Sequence, residues 1–109
     1  MRAPMRVYIS GRIKDYPEHE GHFARAVSDV LGAGHTAVSP LDNGLGSEAA
    51  YEDHMRADFV MLLGCHAIFM LEGWERSAGA RAEHAVACQC GMPIYYETFA
   101  LLPTVLVHA

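Results

Sequence analysis

With 109 residues and 51% hydrophobic content, the chain is sized for one domain with a real core. Charged residues at 19% argue against disorder, and a net charge of -5 makes a general nucleic-acid binder a poor expectation. No apolar run reaches the roughly 18–20 residues of a membrane span, and the start MRAPMRVYIS lacks the core of a signal peptide.

Val7-Tyr8-Ile9 is a short apolar run ending at Ser10-Gly11, which predicts a strand and then a loop. Pro17 and Glu18 suit the first turn of a helix, where a missing N–H costs nothing and an acid meets the positive dipole end. Phe23, Ala26, Val27, Val30 and Leu31 recur at helical spacing, and Gly32 and Gly34 are stop signals. Thr36 to Ser39 reads as a second strand, ended by Pro40. Leu41 to Gly46 (LDNGLG) reads as a loop, and Ser47 is placed to cap a helix from Glu48. Tyr51, Met55, Phe59, Leu62 and Leu63 mark that helix's expected buried stripe. Ala67 to Leu71 (AIFML) predicts a third strand and Glu72 to Arg76 a loop. Ser77 then caps a third helix that Gly91 ends. Ile94-Tyr95-Tyr96 predicts a fourth strand, and Thr104 to Val107 offers a last one.

Strand and helix alternate with short connections, and the chain holds neither a repeat nor a linker. Right-handed crossovers turn such an order into a parallel sheet with helices on both faces. Ligands of open α/β sheets sit at the carboxyl ends of the strands. Those ends are Ser10-Gly11-Arg12, Pro40-Leu41-Asp42, and Glu72 to Ser77.

Two carboxylates stand out there. The helix after Ser77 opens with small residues, Ala78-Gly79-Ala80, and its first N–H groups lack helical partners. Ser77, Gly79 and their neighbours therefore suit a phosphate. Glu83 follows six residues on, roughly 9 Å along the axis, and its side chain is expected to lean back over Gly79 and Ala80, which are too small to shield the carboxylate from a ligand. The competing reading makes Ser77 an ordinary cap and Glu83 a solvated residue. Asp58 falls on the apolar stripe of the preceding helix, where a carboxylate is costly unless partnered. Function is one reason to accept that cost. The bland alternative pairs Asp58 with Arg56 or a backbone amide.

At the end of the first strand, Gly11 would let a ligand approach backbone, and Arg12 would meet an anion. GxGxxG and the Gly-Lys-Ser/Thr phosphate loop are absent. HExxH and paired CxxC motifs are absent too, so surface histidines are the default and neither metal nor cofactor is expected. Cys65, Cys88 and Cys90 cannot all pair within one chain, and free thiols in a reducing cytoplasm are the simplest reading. Cys65 beside His66 is a weak nucleophile pair, because strand neighbours point to opposite faces.

The segments VYISGRI, LGAGHTAVSPLD, HMRADFVMLLGCHAIFMLEGWERSAGARAEHAVA and GMPIYY resemble a family of small phage and bacterial proteins. That family is similar to the nucleoside 2-deoxyribosyltransferases and the 2′-deoxynucleoside 5′-phosphate N-hydrolases. The resemblance covers residues 6–96, and the block from Met55 through Glu83 is its specific part. It implies a flavodoxin-like or Rossmann-like three-layer sandwich. The sheet would have four to five mostly parallel strands, in one domain over residues 1–109, assembled as a homodimer or larger. It implies that Glu83 matches the glutamate that attacks the anomeric carbon, Asp58 the acid–base aspartate and Tyr8 the first-strand tyrosine. Ser77 matches the serine that binds the 5′-phosphate in the hydrolases. The family usually carries Asp where this chain has His66, and the loop EGWER supplies Trp74, which could stack on a base.

The resulting expectation is cleavage of the N-glycosidic bond of a deoxynucleoside 5′-monophosphate. Glu83, Asp58 and Tyr8 would be catalytic; Ser77, Gly79, Ser10, Gly11, Arg12 and Trp74 would bind. Water as acceptor gives hydrolysis, which the phosphate-suited helix start favours. A second base as acceptor gives deoxyribosyl transfer. A nucleotide-binding protein without turnover is one alternative, and a purely structural interaction domain, which leaves the apolar-face Asp58 unexplained, is another.

Overall fold

The computed structural model describes residues 3–98. Strands β1 (Arg6–Ser10), β2 (Thr36–Val38), β3 (Ala67–Met70) and β4 (Ile94–Tyr96) alternate with helices α1 (His19–Gly32), α2 (Tyr51–Leu63) and α3 (Ala78–Gln89). All described strand pairs are parallel, in the order β2-β1-β3-β4. The strand order reverses beside β1, so the crevice between the carboxyl ends of β1 and β3 is the topological switch point.

The period-two geometry of a strand sorts β1 between two cores. Val7 and Ile9 pack with Phe23, Ala26 and Val30 of α1. Tyr8 faces the other way, with Leu62 of α2 and Ala80 and Ala87 of α3. The molecule is therefore the three-layer α/β sandwich the alternating pattern predicts, with α1 on one face and α2 and α3 on the other.

Local expectations fare unevenly. Glu18 is the residue before α1 rather than inside it. Ser77 caps α3 as expected, accepting from the Ala80 N–H at 3.1 Å. Ser47 does not cap α2: the helix starts at Tyr51 behind an extended Ala50 that makes no side-chain cap bond. His54 instead reaches back from the first turn, its Nε2 3.0 Å from the Gly46 carbonyl. Leu31, Tyr51 and Leu63 are more than half exposed, not buried as their spacing suggested. Two 3-10 turns, Pro40–Asp42 and Trp74–Arg76, occupy stretches read as loops. Thr104 to Val107 lie outside the described residues. No helix among the described residues is long and apolar enough to cross a membrane.

Candidate active site

Tyr8 and Ser10 point to the same face because they are two residues apart on a strand. Ala80, Glu83 and Ala87 form the buried stripe of α3. Packing that stripe on β1 drives Glu83 between the two hydroxyls. Tyr8 Oη donates to Glu83 Oε2 at 2.6 Å, and Ser10 Oγ donates to Oε1 at 2.6 Å. Glu83 is only 4% exposed. The expectation that it leans openly over Gly79 and Ala80 is therefore corrected, because the small residues serve helix packing. A Cβ on Gly79 would come 3.2 Å from Met55 Sδ and 3.5 Å from Tyr51 Oη. Gly79 is thus where α2 and α3 approach closely.

Burial pushes the Glu83 carboxyl up to about 7, the two hydroxyl bonds oppose that rise, and Asp58 adds to it. Tyr8 is driven well above the ordinary phenol range, first by burial and then by Glu83. It therefore remains a proton donor at neutral pH. Each carboxylate oxygen has two lone pairs and spends one on a hydroxyl. Glu83 is consequently oriented without being saturated.

Asp58 is 7% exposed on α2. Its partner is Asn43, whose Nδ2 donates to Oδ1 at 2.9 Å; Arg56 instead sits 4.0 Å from Asp53 at the surface. Burial raises the Asp58 carboxyl, while the Asn43 bond and His54 lower it. Two carboxyl groups, both raised and each felt by the same buried tyrosine, thus share one corner of the α2–α3 face.

The other sequence candidates divide. Ser10 belongs to the constellation, but as a ligand of Glu83. Gly11 is buried against Leu71, whose Cβ lies 3.0 Å from where a Gly11 Cβ would stand, so its small size serves packing. Arg12 donates to the Asp15 carbonyl at 2.9 Å, with its guanidinium 5.7 Å from the centre of the Tyr16 ring. One face of Trp74 stacks on His84 at 4.4 Å. Trp74 also borders, with Glu72, Glu75 and Tyr96, a cavity of about 310 Å³ at the ends of β3 and β4. Neither Glu83 nor Asp58 lines that cavity. His66 precedes β3, where its Nδ1 accepts from the Arg6 N–H at 2.8 Å. That is the amino edge of the sheet, so the departure from the family's Asp lies away from Glu83. Cys65 donates to the Met61 carbonyl at 3.3 Å, and burial raises its thiol. Asn43, which sequence reasoning missed, lies inside LDNGLG, a stretch legible only as a turn.

A family model, "Domain of unknown function (DUF4406)", matches residues 5–96. The chain belongs to the DUF4406 family. No curated protein sequence matches it. Solved structures supply the fold. A 2-deoxyribosyltransferase from the psychrotolerant bacterium Bacillus psychrosaccharolyticus superposes with a TM-score of 0.69 at 19% identity, covering 95% of this chain and 77% of that one. A 2-deoxyribosyltransferase from Leishmania mexicana superposes with a TM-score of 0.67 at 19% identity, covering 85% of this chain and 63% of that one. The DUF4406 chain thus has the deoxyribosyltransferase fold, which agrees with the flavodoxin-like expectation.

Proposed function

We propose that this DUF4406 chain breaks the N-glycosidic bond of a 2′-deoxynucleoside and passes the deoxyribosyl group to an acceptor, with Glu83 as nucleophile. The observation that carries the reading is the buried Glu83 carboxylate held by the Tyr8 and Ser10 hydroxyls beside Asp58. Such a group suits a centre that gains positive charge in the transition state. In its ionised form a Glu83 oxygen forms a bond to the anomeric carbon as the carbon–nitrogen bond breaks. The bonding electrons leave with the base, which takes a proton from Asp58. An incoming base nitrogen then attacks the same carbon, Glu83 is released as carboxylate, and Asp58 takes the proton back. Tyr8 and Ser10 keep the carboxylate aimed through both steps. A nucleophile is needed ionised and an acid protonated; burial raises the proton affinity of both carboxyl groups, that of Glu83 to about 7.

The fold likeness to two deoxyribosyltransferases supports transfer over hydrolysis. Hydrolysis of a 5′-monophosphate is the second reading. It is favoured by Ser77, whose hydroxyl accepts from Ala80 and still has a proton to donate, and by the first N–H groups of α3. The test is a panel of deoxynucleosides and their 5′-monophosphates, each with and without a second free base, followed by chromatography. Base exchange that requires the second base supports transfer. Free deoxyribose 5-phosphate in its absence supports hydrolysis. An untouched panel sinks both. Assembly as a homodimer or larger belongs to the same proposal and is read by light scattering.

A further inference from the structure

The loop between β2 and α2 does more than connect them. Asn43 makes three hydrogen bonds through one side chain. Its Nδ2 lies 2.9 Å from Asp58 Oδ1 and 3.0 Å from His54 Nδ1, and its Oδ1 accepts from the Leu45 N–H at 3.0 Å. His54 Nε2 lies 3.0 Å from the Gly46 carbonyl, which can only accept.

These contacts admit one consistent pattern of protons. The Gly46 carbonyl needs a donor, so the His54 proton sits on Nε2. Nδ1 is then an acceptor and takes one Asn43 amide hydrogen. The second amide hydrogen goes to Asp58. A flipped Asn43 would set its carbonyl against the Asp58 carboxylate and its NH2 against the Leu45 N–H. Both contacts would be repulsive, so the amide has a single usable orientation.

We infer that Asn43 is a positioning residue for Asp58: backed by His54, it fixes the direction of that carboxylate and ties it to the loop 43–46. The inference rests on the reading of Asp58 as the acid–base group, but its structural content stands apart from turnover. Asp58 sits 7% exposed, where a carboxylate is costly without a partner, and the Asn43 amide supplies that partner at 2.9 Å. Asn43 selects the rotamer and favours the ionised form. The charged and titratable groups felt at this point are His54 of α2, Tyr8 of β1 and Glu83 of α3. Asn43 is the neutral donor among them. It can orient Asp58 without forming an ion pair that would hold the proton off too firmly for an acid.

A comparable role for a surface turn would leave Asp58 indifferent to Asn43, and this is what the experiment reads. Carbon-13 NMR of the side-chain carboxyls gives the Asp58 titration midpoint in the wild-type chain and in Asn43→Leu. Loss of the donor should move that midpoint to higher pH, by about one pH unit. An unmoved midpoint in a folded variant overturns the inference. Should Asn43→Leu fail to fold, His54→Phe carries the test. Its Asn43 amide loses one acceptor, so the two Nδ2 proton resonances should shift and the Asp58 midpoint should rise by less. Constancy of both overturns the inference equally. Turnover, where present, should lose kcat with little change in KM. A shifted Asp58 midpoint in a chain that never turns over any deoxynucleoside would keep the positioning role and sink the proposed function.

Discussion

The two faces of the sheet are built from the same strand and obey different rules. Towards α1, β1 presents Val7 and Ile9, which pack with Phe23, Ala26 and Val30, and the one buried polar side chain of α1, His22, is paired with Tyr16 and Glu97 towards the helix start. Towards α2 and α3 it presents Tyr8 and Ser10, and α3 answers with a carboxylate. The first face obeys the rule that apolar groups leave water. The second spends burial on groups that cost free energy unless partnered, and every described buried polar atom there has a partner. The comparison teaches that α1 and its strands hold the fold, while the α2–α3 face buries Glu83 and Asp58 and raises the proton affinity of both.

The largest expected effect breaks the second face without touching the first. Glu83→Gln keeps the size of the side chain and can still bond to Tyr8 and Ser10, but it cannot form a glycosyl ester. Turnover should fall at least about a thousandfold. Circular dichroism and deoxynucleoside binding should stay near wild type. Undiminished base exchange would remove Glu83 from the reaction. Alanine is the poorer substitution, because it would orphan two buried hydroxyls at a cost of about 1–3 kcal/mol each.

Ile9→Ala breaks the first face. Ile9 is fully buried one residue from Ser10. Its truncation should cost about 2–5 kcal/mol, a large share of a stability of roughly 5–15 kcal/mol. Urea unfolding should show an earlier midpoint at unchanged slope. Turnover per folded molecule should hold. A collapse of kcat in the fraction that remains folded would mean that the two faces are not separable.

A pH series sharpens the contrast within one preparation. The Glu83 carboxyl rises from about 4.5 to about 7 on folding, because it is buried. The native chain therefore keeps this proton to higher pH than the unfolded chain does. The resulting stability is complete below about pH 4.5 and is lost as pH climbs through 7, about 3 kcal/mol in total. Activity that needs ionised Glu83 runs the opposite way and should rise over the same interval. Glu83→Gln should remove the Glu83 part of the stability slope, leaving that of Asp58, which is also raised. An identical slope in wild type and variant would assign it to other groups.

Much of this was legible in the sequence, and the failures have physical causes. Alternation on β1 separates Tyr8 and Ser10 from Val7 and Ile9, and Ala80 and Ala87 flank Glu83 at helical spacing. Small neighbours were read as an opening for ligand, whereas they are what lets α3 press Glu83 onto β1. The start of α2 was misplaced because Ser47 and Glu48 lie in a turn, and the helix begins only at Tyr51 behind an extended Ala50 with no side-chain cap to mark it. Leu31 and Leu63 were misjudged because spacing gives the direction of an apolar stripe but not its width. Asn43 was invisible because its meaning depends on Asp58, fifteen positions away, and a turn residue has ample local reason to be Asn.

The smallest effect decides what the start of α3 is for. Ser77 accepts from Ala80 N–H at 3.1 Å, an ordinary cap bond. Ser77→Ala should therefore cost about 1 kcal/mol of stability whatever the substrate, visible as a modest fall in Tm. The informative quantity is a ratio of ratios: the change in kcat/KM for a deoxynucleoside against the change for its 5′-monophosphate. A serine that only caps alters both alike, which is the outcome expected of a transferase working on the nucleoside. A serine that also donates its proton to phosphate loses about 1.5–3 kcal/mol on the monophosphate alone, because that bond is charge-assisted. Selective loss of that size would overturn the transferase reading in favour of the hydrolase. Equal loss would leave the hydroxyl proton of Ser77 without a part in recognition.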